Sequence, residues 1–260
     1  MTKFIQELLN ITFLYYVSVR MLFQFKRSGM RIFIQTILTQ LYGIGVRSVP
    51  VVSIIGILAG IIFITLFIGI FGEITGVKSI GEVVAVIILR EISPLVTGFI
   101  MIMRSVTAIT TQLGIMRIQR EIEAMEVMGI SPIRYLVTPR MVGGVASLYC
   151  LNVVFNIMAF TSGYIASYFI ISLPFEVFSS SVFSAFSILD IIAYNVKIFV
   201  GGTVIILMAC YYGLSVSASS TEIPRAVSQA AVSTLLFLSI FYSIVFFFTL
   251  IINEMLVSVD

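Results

Sequence analysis

SVPVVSIIGILAGIIFITLFIGIFG, Ser48 to Gly72, runs for twenty-five residues without a charged side chain. A stretch of about 20 apolar residues, rising about 1.5 Å each as a helix, is what crossing a bilayer requires. Three further charge-free runs meet that length: Met141 to Phe175, Ile198 to Thr221 and Ala226 to Asn253. Gly81 to Gly114 is apolar apart from Glu82, Arg90, Glu91 and Arg104, and reads as another span that carries internal charges. Hydrophobic residues make up 60% of the chain and charged ones 10%, against about 45–50% and about 25% in soluble domains. The expected fold class is an all-α integral membrane protein of one domain over residues 1–260, with spans at about 48–72, 81–114, 141–171, 191–215 and 230–254.

Residues 1–47 are expected to hold a helix lying in the membrane interface. Lys3, Gln6, Glu7 and Asn10 recur at helical spacing opposite Phe4, Leu8, Ile11 and Tyr15, as an interfacial amphipathic helix requires. A secretory leader is not expected, because Glu7 stands where a basic flank belongs and no small-residue cleavage site follows Leu8 to Val19. Arg20, Lys26, Arg27, Arg31 and Arg47 precede the first span, Arg117, Arg120, Arg134 and Arg140 lie between the second and third, and Arg225 lies between the fourth and fifth. Basic residues gather on the cytoplasmic side, so the N-terminus is expected inside and the C-terminus outside. The net charge of +3 has this same origin, and no nucleic-acid partner is expected.

Histidine is absent, which removes the commonest general base and metal ligand. Cys150 and Cys210 lie singly in apolar runs, without the CxxC spacing of a metal or redox site. Neither catalysis, a metal nor a cofactor is expected in this chain. GEITGVKS, Gly72 to Ser79, imitates a phosphate-binding loop, but Val77 replaces its second glycine and two spans flank it in place of a strand and a helix. It reads as a turn.

Two clusters remain. In LREISP, Leu89 to Pro94, a charge near the bilayer centre costs roughly 2.5–3.5 kcal/mol on insertion scales, so something must compensate Arg90 and Glu91. Sequence neighbours do not face each other on a regular helix, so each is expected to meet another helix, water in a cavity or a substrate headgroup. A structural ion pair with Lys197 is the alternative. Pro94 removes a backbone hydrogen bond and opens the helix locally, and Arg104 is expected to snorkel to the cytoplasmic face.

The other cluster is QREIEAMEVMGISPIRYL, Gln119 to Leu136. Ile118, Ile122, Met125 and Met128 fall on one helical face, and Gln119, Glu123 and Glu126 on another. Gly129 supplies a left-handed stop, and Ser131-Pro132 opens the next helix. A helix resting on lipid carries Lys and Arg on its polar face. This one carries glutamates, and with its methionines it suits a groove on another protein.

Other features are weaker. Gly56 and Gly60 form a GxxxG in the first span, and Gly201-Gly202 opens the fourth. Such small residues allow helices to pack closely or dimerise. Phe63, Phe67 and Phe71 form a stripe at helical spacing that suits either ordinary packing or an apolar lining.

From Leu89 to Arg140 the chain resembles the MlaE (YrbE) permeases, membrane subunits of bacterial ABC transporters that work with MCE proteins. The likeness lies in R-E-x-x-P, the Gly-x-Met before the short helix, E-x-M-G-x-x-P-x-x-Y and the Pro-Arg ahead of the third span. Weaker likeness extends from Gln40 to the last span. The chain departs from the family pattern at Met103 to Val106, at Gln112, at Arg120-Glu121 and over Ser217 to Gln229.

The resemblance implies an interfacial helix plus five transmembrane helices in the inner membrane and a homodimer. It also implies two separate cytoplasmic ATPase subunits that bind ATP and magnesium, a periplasmic MCE-domain partner, and a phospholipid or related lipid as substrate. The helix at about 117–129 becomes a coupling helix, with Glu121, Glu123, Met125, Glu126, Met128, Gly129 and Arg134 at the ATPase contact. The resemblance also places Arg90 and Glu91 near the lipid cavity, for which Pro94, Phe63 and Phe67 are further candidate lining residues. An ion-coupled carrier or channel using Arg90, Glu91 and Lys197 is the alternative, and a membrane anchor without transport a third.

Overall fold

The computed structural model describes residues 12–21, 30–71, 77–185, 187–217 and 219–257. Every regular element among the described residues is helical, as hydrocarbon demands of a chain that must satisfy its backbone groups within each segment. Five helices are long and apolar enough to cross a membrane: Phe33–Ile70, Gly81–Ile118, Ile133–Ile171, Ile188–Leu214 and Glu222–Ile252, the first to fifth spans below. The chain is a multi-pass, all-α membrane protein.

The spans start earlier than the charge-free runs. Met30–Gln40 continues through the wide π turn Leu41–Gly45 and the tight turn Val46–Ser48 into Val49–Phe71, so helix already precedes the expected start at Ser48. The fourth span begins at Ile188, which places Gly201-Gly202 mid-helix and not at its opening. The fifth begins at Glu222, whose carboxylate accepts the backbone N–H of Ser217 at 3.1 Å and its hydroxyl at 2.7 Å. Absence of charge marks the hydrocarbon-facing part of a helix, whereas the helix itself continues through isolated polar residues. Residues 12–21 are helical. The rest of the expected interfacial helix, residues 1–11 and 22–29, and the turn at residues 72–76 lie outside the described residues.

Three prolines follow irregular turns. The irregular turns Val46–Ser48, Ile88–Ile92 and Ile133–Val137 each end two residues before a proline: Pro50, Pro94 and Pro139. A proline ring collides with the carbonyl four residues back and gives it no hydrogen bond. At Pro94 and Pro139 the preceding turn has i→i+5 bonding, which moves that carbonyl aside without ending the helix.

The helices contribute to two compact units. One comprises Met1–Arg47, Phe99–Leu148 and Val200–Ser239. Its core is built on Met101, Val106, Leu113, Val137 and Ile205 to Cys210. Here Thr110 Oγ1 donates to the carbonyl of Ala209 at 3.1 Å, and Gly202 brings the fourth span to 3.0 Å from Val145 Cα, measured from where a side chain would begin.

The other unit comprises Ser48–Gly98, Tyr149–Phe199 and Ile240–Asp260. The GxxxG of the first span acts inside the chain, against the third span: a Cβ on Gly56 would lie 3.0 Å from the Phe155 carbonyl, and one on Gly60 would overlap the Ala159 carbonyl. Ser162 Oγ fastens the same crossing by donating to the Ile57 carbonyl at 3.0 Å. Phe175–Ser184 packs against Val77–Ile87, and Tyr164 meets the Phe175 ring edge-on at 5.3 Å.

Candidate functional site

Four charges meet inside the second of these units. Arg90 Nη1 lies 3.0 Å from Asp190 Oδ1, and Lys197 Nζ lies 2.7 Å from Glu91 Oε2. Arg90 Nη2 donates to Thr249 Oγ1, and the guanidinium sits 5.6 Å from the Phe246 ring centroid. The partners of Arg90 and Glu91 thus come from the fourth and fifth spans. The side chain of Lys197 is 1% exposed, those of Arg90 and Asp190 6% each, and that of Glu91 27%. The quartet balances, two cations against two anions, which offsets the cost of unpaired charge in low dielectric.

Local chain chemistry explains the arrangement. Pro94 has no N–H to return to the carbonyl of Arg90, and Lys197 Nζ takes that oxygen at 3.0 Å. Arg90 and Glu91 also approach each other, Nε to Oε1 at 3.2 Å, contrary to the expectation that neighbours cannot pair. The π turn Ile88–Ile92 is the reason, because wider turns reduce the rotation between successive residues. The contact is one of charge proximity without hydrogen-bond alignment.

Asp190 and Thr249, neither of which the sequence analysis singles out, supply the two remaining partners of Arg90. Asp190 precedes Lys197 by seven residues, two helical turns, so both lie on one face of an apolar helix. That spacing is the signal for the pairing. Asp190 also returns to the N-terminus of its helix, where Oδ2 accepts the Ser187 N–H at 3.4 Å in the S-x-x-D form of a capping box. Thr249 carries no such signal in a span rich in hydroxyl residues.

One helical turn from the quartet, Ser93 Oγ donates to Asn152 Oδ1 at 2.8 Å, and Asn156 Nδ2 to the Tyr194 hydroxyl at 3.1 Å. These bonds hold the second, third and fourth spans together. Phe63 and Phe67 are half-buried on the first span. The described hydrogen bonds and ion pairs of Arg90 and Glu91 do not reach them.

The segment between the second and third spans belongs to the other unit. Its helix is Glu121–Val127, shorter than the expected 117–129, because Arg120 adopts a left-handed backbone at φ 58° and separates it from the second span. Ile118 and Ile122 therefore do not share a continuous helix. Ile122, 2% exposed, anchors it, and Met125 is half-buried.

The helix ends as Gly129 implies. At φ 75° its N–H meets the Glu126 carbonyl, and the Ile130 N–H meets the Met125 carbonyl, both at 2.9 Å, a Schellman motif. Val127, 89% exposed, and Met128 then stand in the open beside Glu121, Glu123 and Glu126. Met128 is thus outside the apolar face expected for it, because the helix stops at Val127. Arg134 is half-buried in the wide turn Ile133–Val137, and Arg104 donates to the Arg47 carbonyl at the protein surface.

The family model Permease MlaE matches residues 37–250. A probable ABC transporter permease protein of Rickettsia typhi is 25% identical over 203 residues, 78% of either chain. The chloroplastic protein TRIGALACTOSYLDIACYLGLYCEROL 1 of Arabidopsis thaliana is 26% identical over 213 residues, 81% of this chain and 61% of that one. The intermembrane phospholipid transport system permease protein MlaE of Haemophilus influenzae is 28% identical over 116 residues, 45% of this chain and 44% of its own. With five membrane-length helices and a family match from residue 37 to residue 250, the chain belongs to the MlaE permease family.

Proposed function

We propose that this chain is the permease subunit of an ABC transporter that moves phospholipids or related lipids between the inner membrane and the outer envelope of a bacterial cell. It works as two copies with two cytoplasmic ATPase subunits, which bind ATP and magnesium, and with a periplasmic MCE-domain protein. Its N-terminus lies in the cytoplasm and its C-terminus in the periplasm. It performs no covalent chemistry itself. The names of the relatives from Haemophilus and Rickettsia support the lipid and ABC parts respectively.

One structural observation carries the ABC part. The helix Glu121–Val127 is held at its base by Ile122 and presents Glu123, Glu126, Val127 and Met128 outward. An acidic helix end with exposed apolar side chains does not suit an anionic membrane surface, whereas a groove on a partner protein takes both. ATP-driven closure of that partner would act on this helix and shift the permease between two states. Arg90, Glu91 and Pro94 would border the lipid path, with Phe63 and Phe67 as apolar lining.

Affinity purification of the tagged chain from its own membranes tests this. The expected result is retention of an ATPase whose turnover falls when Met125 or Glu126 is replaced. A chain that never retains an ATPase would instead direct attention to ion-coupled transport through Arg90, Glu91 and Lys197.

A further inference from the structure

We infer that the Glu91–Lys197 pair selects zwitterionic lipid headgroups, phosphate and ammonium together, over anionic ones. The inference rests on the lipid-transport function proposed above and specifies the headgroup. The two halves of the quartet are not equally fixed. Asp190 is held by the guanidinium of Arg90 and by the Ser187 N–H, and Arg90 in turn by Thr249 and the Phe246 ring. Among the described residues, Glu91 has a 27% exposed side chain, one hydrogen bond, to Lys197, and an unaligned contact with Arg90 Nε. It is the member that can be displaced.

Charge balance then sets the ligand. The cation Lys197 is buried and already closes the Arg90 carbonyl, so an arriving phosphate reaches it by taking the place of the Glu91 carboxylate. That leaves Glu91 at the open side with only its unaligned contact to Arg90 Nε. A headgroup with an ammonium beside its phosphate supplies a cation there, so every charge remains paired. A glycerol headgroup brings the phosphate alone and sets two anions next to each other, which raises the free energy of the bound state.

The test uses the full chain, purified with the subunits it retains, in nonionic detergent. Acyl-labelled phosphatidylethanolamine and phosphatidylglycerol are titrated separately. The ethanolamine lipid is expected to bind about tenfold more tightly, between the worth of an exposed ion pair and of a fully buried one. Glu91→Gln should bring the two affinities together, and Glu91→Asp, which keeps the carboxylate, should retain the preference.

Equal affinities in the unaltered chain, a preference that survives in Glu91→Gln, or its loss in a folded Glu91→Asp would each overturn the inference. Binding of neither lipid would overturn the transport function as well. Glycerophosphoethanolamine, the same headgroup without acyl chains, should not compete at lipid concentrations; displacement by it would overturn the assignment to a lipid.

Discussion

Lys197 donates through Nζ to the carbonyl oxygen of Arg90 at 3.0 Å, so a cation of the fourth span closes the acceptor that Pro94 leaves open in the second. The same ammonium compensates Glu91 at 2.7 Å. Lys197→Met removes both partners at a 1% exposed position and is expected to cost about 3 kcal/mol of stability. Thermal unfolding in detergent measures it. Pro94→Ala restores an N–H near the Arg90 carbonyl, and in that background the Lys197→Met penalty should shrink by about 1 kcal/mol. Identical penalties would mean that the carbonyl bond contributes nothing.

Asp190 is the deeper anion, and truncating it leaves the buried guanidinium with only its unaligned contact to Glu91. Asp190→Ala should destabilise by about 3 kcal/mol, whereas Thr249→Val, which removes a neutral acceptor from the same guanidinium, should cost about 1–2 kcal/mol. Paired melting curves give the ranking, and a larger loss from the threonine would reassign the support of Arg90.

The first span offers an internal control for close packing. A Cβ on Gly60 would overlap the Ala159 carbonyl, while one on Gly69 meets nothing within 4 Å. Gly60→Ala is expected to lose about 1–3 kcal/mol through overpacking, and Gly69→Ala to be neutral or slightly stabilising through helix propensity. If the two variants melt alike, the crossing of the first and third spans is looser than described.

Gly129 holds a left-handed backbone at φ 75°. Gly129→Ala should cost about 1 kcal/mol locally, with a larger effect on ATPase retention than on the melting temperature, because the strain falls on the turn that exposes Val127 and Met128. Gly129→Asn, which tolerates this conformation, should retain both properties. Copurification yield beside a melting curve separates the two effects.

The sequence displays the helical membrane fold almost completely, because twenty-residue apolar runs have few alternatives in lipid. The boundaries are less legible. Arg47, Asp190 and Lys197 interrupt the hydropathy without interrupting their helices. Gly129 announces its turn through backbone conformation alone, so the stop after Val127 can be read from one residue. The left-handed Arg120 cannot, since arginine has no preference for that region and the context imposes it.

The charged site was legible through Arg90, Glu91 and the alternative partner Lys197, because charge in a span must be compensated. Asp190 was hidden by its place near the end of a span, where an acid is ordinary. Its seven-residue separation from Lys197 becomes informative only when the two are considered on one helix face. Phe63 and Phe67 show the opposite case: aromatic periodicity identifies a stripe on the helix without distinguishing packing from lining.

Because Arg90, Lys197, Glu91 and Asp190 sum to zero formal charge, displacing the quartet as a body does no net work against the membrane potential, which otherwise exerts about 2.3 kcal/mol per elementary charge per 100 mV. The energised membrane therefore has no electrical grip on these charges while they remain together, and only a force that reaches them through the helices can move them.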